Sequence, residues 1–146
     1  MIALDTNLLV YAHRRESPWH PGAKACVSEL AVRGVPWAIP WPCLHEFLGI
    51  VTNPRIFKTP TPVAMALRQV EFWMESPRLV FLSEEPEYWE ELRATLEGSQ
   101  VVGPRVHDAH VAALCRHHAI EELWSADRDF GRFPGLLVRN PLVASP

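Results

Sequence analysis

The chain has 146 residues, of which 48% are hydrophobic and 10% aromatic, and it carries a net charge of −3. This composition excludes an intrinsically disordered chain and predicts one domain, residues 1–146, that is large enough to bury its own core. No apolar run approaches the ~20 residues that a membrane span needs, and the slightly acidic balance neither indicates nor excludes nucleic-acid binding.

Proline and glycine separate short apolar runs from longer amphipathic segments along the whole chain. In chain order we predict a strand at 2–5, helices at 6–13 and 21–33, a strand at 36–40, helices at 42–52 and 62–75, a strand at 78–82, helices at 85–98 and 104–118, and strands at 122–126 and 136–140. Strands that alternate with helices indicate an α/β fold. We therefore expect a three-layer sandwich in which helices flank a mostly parallel sheet of four or five strands.

Four acidic residues fall where such a fold places its sites. Asp5 closes the first strand and Asp127 follows the fourth, while Glu46 and Asp108 lie in the opening turns of helices that follow strands. The carboxyl ends of parallel strands share one edge with the first turns of the helices that follow them, so the four side chains should converge there. Helix capping explains Asp5 and Asp127, whereas a hard divalent cation bound by carboxylate oxygens explains all four.

Four stretches carry a resemblance to a known family: "ALDTNLLVYA", "HEFLGIVTNPRI", "VHDAHVAAL" and "LWSADRDF". In this order and at these separations they resemble the PIN-domain family, and within it the VapC-type toxin ribonucleases of bacterial and archaeal toxin–antitoxin modules. The likeness spans nearly the whole chain. Such proteins often carry glycine where this chain has His118 and Ala119, which weakens the expectation of a tight turn there.

The resemblance implies a divalent-metal-dependent endoribonuclease that uses Mg²⁺ or Mn²⁺. It implies that the metal ligands and catalytic residues are Asp5, Glu46, Asp108 and Asp127. Supporting hydrogen bonds would come from Thr6, Asn7 and Ser125, and Asp129 would be an auxiliary acid. It also implies an RNA substrate, a small antitoxin protein as a partner, and a homodimer. The basic candidates for RNA contacts are Arg14, Arg15, Lys24, Arg55, Lys58 and Arg105.

Other interpretations of the same residues remain open. Within the family, a housekeeping RNA-processing nuclease is the alternative to a toxin. A phosphatase of the haloacid-dehalogenase kind also begins with a strand that ends in Asp, but its proton-donating second Asp is replaced here by Asn7. A binding module without catalysis is a third reading. The pair His107 and His110 suggests a transition-metal cluster, although surface packing explains these two histidines better.

Two further features bear on location and assembly. Cys26, Cys43 and Cys115 form no CxxC pair, so we expect small buried side chains, a reducing cytoplasm and no disulfide framework. The helix at 62–75 carries more apolar side chains than one buried stripe requires, which favours an interface. The acidic run 83–97 is predicted to be a solvated helix face.

Overall fold

Five short parallel strands form the centre of the structure, a computed structural model that describes residues 1–143. The strands are β1 (Ile2–Leu4), β2 (Trp37–Pro40), β3 (Leu79–Leu82), β4 (Glu122–Trp124) and β5 (Val138–Arg139). They are ordered β3-β2-β1-β4-β5, and every pairing is parallel. β1 therefore lies in the middle of the sheet, and the predicted parallel sheet of four or five strands is confirmed.

Six α-helices cover this sheet. They are α1 (Thr6–His13), α2 (His20–Val32), α3 (Trp41–Val51), α4 (Val63–Met74), α5 (Tyr88–Ser99) and α6 (Val106–His117). The chain moves from β1 outward to β3 and then returns to β4, so right-handed crossovers place α1–α4 on one face and α5 and α6 on the other. The packing agrees, because α1 contacts α2 and α3 while α5 lies against α6. The predicted three-layer sandwich is confirmed.

The core is built from the apolar runs of the central strands and the inward faces of the helices. All four residues of β2 are buried, as expected for a strand covered on both faces. Leu8 and Leu9 of α1 and Phe47 of α3 are completely buried as well. This packing fixes the ends of β1 and α3 relative to each other, and these two ends carry two of the predicted acids.

Every element boundary lies within three residues of the predicted one. The helix predicted from residue 85 begins at Tyr88, and the helix predicted from Pro104 begins as a 3-10 turn, Gly103–Arg105, that leads into α6. After α6 the chain makes the turn that the sequence left in doubt. Ala119 adopts a left-handed φ of 51°, and the amide of Ile120 donates to the carbonyl of Cys115 at 2.8 Å, which is the pattern of a Schellman cap.

All three cysteines are free; Cys43 and Cys115 are buried as predicted, and Cys26 is half-buried. Within residues 1–143, every helix falls short of the length and hydrophobicity that a bilayer-spanning segment requires.

Candidate active site

The structure brings the four predicted acids to one edge of the sheet. Asp5 directly follows β1, and Asp127 lies three residues after β4. Glu46 is in the second turn of α3, which follows β2 without a loop, and Asp108 is in the first turn of α6. The strands are parallel, so the ends of β1, β2 and β4 all lie on this carboxyl-terminal edge. The four residues share that edge, which we call the acidic edge. Their role as metal ligands remains a prediction.

Asp5 is the most buried of the four, with 6% of its surface exposed. Its Oδ1 accepts from the backbone amide of Thr6 at 2.8 Å and from the thiol of Cys43 at 3.6 Å. Its Oδ2 accepts from Ser125 Oγ at 2.7 Å and from Asn7 Nδ2 at 2.9 Å. Asp5 therefore does cap α1, as the capping interpretation requires, but three further donors hold its carboxylate in a fixed orientation.

Burial raises the pKa of Asp5, and the negative charge of Glu46 raises it further, against the hydrogen bonds that lower it. A raised pKa for an acid means that the folded protein disfavours the ionised form. The donors around Asp5 therefore orient the carboxylate without fully compensating its charge. A divalent cation at this edge would supply the missing compensation.

Glu46 is more exposed than Asp5, with 41% of its side chain accessible to solvent. Thr6 Oγ1 donates to Glu46 Oε2 at 2.6 Å, and His107 Nε2 lies 3.1 Å from the same oxygen. The hydrogen bond from His107 lowers the pKa of Glu46, and that bond in turn raises the pKa of His107.

Asp108 and Asp127 form the second half of the acidic edge. Burial raises the pKa of Asp108, and the charge of Asp127 adds to that increase. Asp127 Oδ1 accepts from the amide of Asp129 at 2.8 Å, and the amide of Asp127 donates to Ser125 Oγ at 3.0 Å. In the part of the chain that the structure describes, the Asp108 carboxylate has no hydrogen-bond or ion-pair partner.

The residues predicted to support the acids lie beside them. Ser125 contacts both Asp5 and Asp127, and Asn7 Nδ2 donates to Ser125 Oγ at 3.1 Å. Asn7 Oδ1 also accepts from the amide of Ala126 at 3.0 Å, which ties the end of β1 to the end of β4. Thr6 links Asp5 to Glu46. Asp129 is different, because its carboxylate turns toward Arg105 at 2.7 Å rather than toward the other acids.

Of the basic residues proposed to contact RNA, the structure places Arg105 at the acidic edge. Arg14 lies at the opposite end of α1, about 12 Å away for a helix of eight residues. There it stacks on the ring of Phe57 at 4.0 Å and donates to the carbonyl of Thr59 at 2.9 Å. Arg14 thus holds the loop 53–62 at a distance from the four acids, and its role as an RNA contact remains a prediction.

The remaining basic candidates lie near Arg14. Three of them line a cavity of 1470 Å³ between the end of α1, α2, loop 53–62 and α4: Arg15, Lys24 and Lys58. Arg55 is exposed in the same loop. None of the acidic residues described above lines this cavity. The cavity and the acidic edge are therefore separate features of the surface.

The histidines do not form the suggested transition-metal cluster. His107 contacts Glu46, whereas His110 Nε2 lies 2.6 Å from Glu84 and its ring packs beside Tyr88. The contact of His107 with Glu46 was missed at the sequence level, because nothing in the "HDAH" stretch indicates which neighbour each ring selects.

The chemistry of the acidic edge fits a hard divalent cation. Its donors are carboxylate and hydroxyl oxygens, which Mg²⁺ and Mn²⁺ prefer, and the Asp108 carboxylate is without a partner among the described residues. No three His, Cys, Asp or Glu side chains within residues 1–143 stand ready as a complete ligand set. Binding an ion would therefore require the carboxylate side chains at this edge to move closer together.

Comparisons with known proteins agree with this fold. The PIN-domain family model matches residues 2–136, and Ribonuclease VapC48 of Mycobacterium tuberculosis is 35% identical over 138 residues, which cover 94% of each chain. Among solved structures, VapBC2 from Rickettsia felis, bound to a promoter DNA fragment, aligns over 95% of this chain and 98% of the other at 21% identity with a TM-score of 0.65. VapC20 of M. tuberculosis, described as a sarcin–ricin-loop-cleaving toxin, aligns over 90% of this chain and 93% of the other at 17% identity with a TM-score of 0.63. The chain belongs to the PIN-domain family and, within it, to the VapC group.

Proposed function

We propose that this protein is a divalent-metal-dependent endoribonuclease and the toxin of a toxin–antitoxin pair. The observation that carries the proposal is the position of four carboxylates, from four separate segments, along the carboxyl edge of a parallel sheet. The chain that forms this edge belongs to a group whose members are named ribonucleases. The substrate class is RNA, and the bond cleaved is a phosphodiester.

Asp5, Glu46, Asp108 and Asp127 are the residues that would hold one or two Mg²⁺ or Mn²⁺ ions. When bound, such an ion activates a water molecule and stabilises the charge that develops on the phosphate. The protein's own contribution is to orient the ligands. Ser125 holds one oxygen of Asp5 and the backbone of Asp127, so the two strands that carry these acids are fixed relative to each other.

Thr6 and His107 both hold Glu46 in place. Thr6 donates to Glu46 while its own amide donates to Asp5, so one residue sets the spacing between β1 and α3. His107 also holds Glu46, and it precedes Asp108 on α6. Supporting residues of this kind fix ligand orientation in metal sites.

The phosphatase alternative is not supported by the surroundings of Asn7. Its amide is engaged by Asp5, Ser125 and the backbone of Ala126, and it carries no acidic proton for a leaving group. A housekeeping nuclease would have the same acidic edge, so the partner experiment below, and not the cleavage assay, distinguishes it from a toxin.

The cleavage assay compares wild type with Asp108→Asn and with Glu97→Gln, which removes an exposed carboxylate on α5. Structured cellular RNA is incubated with each protein in Mg²⁺, in Mn²⁺ and in EDTA. We expect cleavage by wild type and Glu97→Gln only when a divalent ion is present, and a loss on the order of 100-fold or more in Asp108→Asn. Cleavage that persists in EDTA, or in Asp108→Asn, would refute the proposed chemistry.

The proposed antitoxin partner fits the 1470 Å³ cavity. Its walls include exposed apolar side chains, Met65 and Phe72, on one stripe of α4. Its charged lining is mostly basic: Arg14, Arg15, Lys24, Lys58 and Arg68 against Glu16 and Glu75. An amphipathic helix with apolar anchors and acidic flanks matches this surface. A protein encoded beside the toxin gene is the candidate.

The proposed homodimer would use a different stripe of the same helix. Val63, Leu67 and Met74 recur at intervals of four and seven residues, are exposed, and do not line the cavity.

A double variant, Met65→Glu with Phe72→Glu, should lose neutralisation by the protein of the adjacent gene and keep its oligomeric state. Leu67→Glu should keep its neutralisation by that protein but lose the dimer, which light scattering detects as a lower mass. Each variant is the control for the other.

We also assign the protein to the cytoplasm, because its free cysteines suit a reducing compartment. Fractionation of the host cell tests this assignment. Recovery of the protein from an extracytoplasmic fraction would contradict it.

A further inference from the structure

A second cavity, of 600 Å³, lies beside the acidic edge. It is bordered by the segment 99–105 between α5 and α6 and by Asp108, Asp129 and Arg132. The segment bends sharply, with left-handed φ values of 56° at Gln100 and 60° at Gly103. One wall carries the apolar side chains of Val101, Val102 and Pro104, and the other carries two guanidinium groups next to Asp108, a predicted metal ligand.

The two arginines of this cavity share one carboxylate. Arg105 Nη1 lies 2.7 Å from Asp129 Oδ2, and Arg132 Nη2 lies 3.6 Å from Asp129 Oδ1. The amide of Asp129 donates to Asp127, so the group is attached directly to the acidic edge. Arg105 also precedes Asp108 by three residues, which places the two on the same side of the chain as it enters α6.

An exposed ion pair contributes little to stability, typically under about 1 kcal/mol, so stability alone does not account for this arrangement. The ion pair with Asp129 is the only polar contact of the Arg105 side chain within residues 1–143, so its five N–H donors are largely free. The free donors form a planar fork that suits a phosphate. In a chain with a net charge of −3, cations beside the acids would offset their repulsion of a polyanion.

We propose that Arg105, oriented by Asp129 and assisted by Arg132, binds a backbone phosphate of the RNA next to the one that is cleaved. Asp129 is then a positioning residue for Arg105 and not a metal ligand. Val101, Val102 and Pro104 give the cavity an apolar side against which the attached sugar or base packs. This inference rests on the proposed ribonuclease function and names one contact through which that site recognises its substrate.

The first test compares Arg105→Gln with Arg105→Lys and with Arg93→Gln, a matched exposed arginine on α5. Kinetics use an RNA that wild type cleaves, and binding is measured by anisotropy with a fluorescein-labelled RNA hairpin in Ca²⁺. For Arg105→Gln we expect KM to rise on the order of tenfold with kcat nearly unchanged, and the slope of log Kd against log salt to fall by about 0.7. Arg105→Lys keeps the charge and the slope but loses part of the affinity, and Arg93→Gln matches wild type.

The second test separates the two roles of Asp129. In Asp129→Asn we expect a higher KM for RNA and an unchanged Mg²⁺ concentration for half-maximal activity. A raised Mg²⁺ requirement would make Asp129 a metal ligand and overturn its positioning role. A wild-type melting temperature in each variant confirms that the fold is intact.

The outcomes distinguish this inference from the proposed function. If wild type cleaves RNA and Arg105→Gln behaves like Arg93→Gln, the phosphate site is wrong and the nuclease stands. If wild type cuts no RNA in any metal but its binding slope depends on Arg105, the nuclease proposal fails and the phosphate site stands. If wild type neither cuts nor binds RNA, both are overturned.

Discussion

Replacing Asp5 by Asn tests the central electrostatic claim, that a buried carboxylate at the end of β1 requires a cation. The amide has nearly the same size as the carboxylate but carries no charge. The amide keeps one oxygen and replaces the other by an NH₂ group, which then faces two of the present donors. If the NH₂ group replaces Oδ2, these donors are Ser125 and Asn7; if it replaces Oδ1, they are Thr6 and Cys43.

Without metal, two effects on the stability of Asp5→Asn oppose each other. The mismatched donors cost about 1–3 kcal/mol. Removing a charge that burial and Glu46 both disfavour offsets much of that loss. We therefore expect the melting temperatures of Asp5→Asn and wild type in EDTA to lie within about 5 °C of each other.

With metal, the two proteins should separate. A ligand present at 100 times its Kd stabilises the folded state by about 2.7 kcal/mol. For a chain of 146 residues each kcal/mol corresponds to about 2–4 °C, so saturating Mg²⁺ or Mn²⁺ should raise the wild-type melting temperature by about 5–10 °C. Asp5→Asn should show little or none of this increase.

Differential scanning fluorimetry in EDTA, Mg²⁺ and Mn²⁺ measures the effect, with Glu97→Gln as the control for non-specific ion binding. Glu97→Gln should respond like wild type, because Glu97 is exposed on α5 and its carboxylate pairs with Arg93, not with any of the four acids. The reasoning fails if wild type shows no metal-dependent increase, or if Asp5→Asn shows the same increase as wild type.

Three further changes have expected outcomes. Ser125→Ala removes the hydroxyl that bridges Asp5 and the backbone of Asp127, so metal affinity in a titration should fall about 10–100-fold, whereas Ser125→Thr should retain it. Arg14→Met loses the contacts that hold loop 53–62; a denaturant titration should show a loss of about 1–2 kcal/mol, with RNA cleavage unchanged. Ala119→Gly relieves the left-handed φ of 51° and should raise the free energy of unfolding by about 0.5–1 kcal/mol; an unchanged or lower value would contradict the assigned strain.

The sequence was sufficient to place the acids because their positions depend on the chain's topology. A residue that ends a parallel strand, such as Asp5, lies on the carboxyl edge whatever its rotamer. The same holds for Asp108, since the first turn of a helix that returns to the sheet is on that edge too. Periodicity and Pro–Gly punctuation are enough to identify such ends, even when boundaries shift by three residues.

Side-chain partners were harder to predict, because they depend on neighbours distant in sequence. Arg14 directly follows α1, and the sequence alone does not say which way its side chain points; it contacts the ring of Phe57 and the carbonyl of Thr59 in the loop 53–62. Asp129 lies two residues after Asp127, a predicted metal ligand, yet its carboxylate pairs with Arg105, which directly precedes α6. No local pattern contains these pairings.

Asp5 also shows that capping and metal binding are not competing explanations for one carboxylate. The cap bond to Thr6 uses one lone pair of Oδ1, and it holds the side chain at the edge instead of satisfying its charge. The raised pKa of Asp5 means that the hydrogen-bond donors by themselves leave its ionised form disfavoured. A site whose ligands are already oriented but whose negative charge is not compensated binds a cation more tightly. The ion removes the repulsion, and the ligands do not have to be ordered when it binds. The cost in stability and the proposed affinity for a metal would thus arise from the same arrangement of donors around one buried acid.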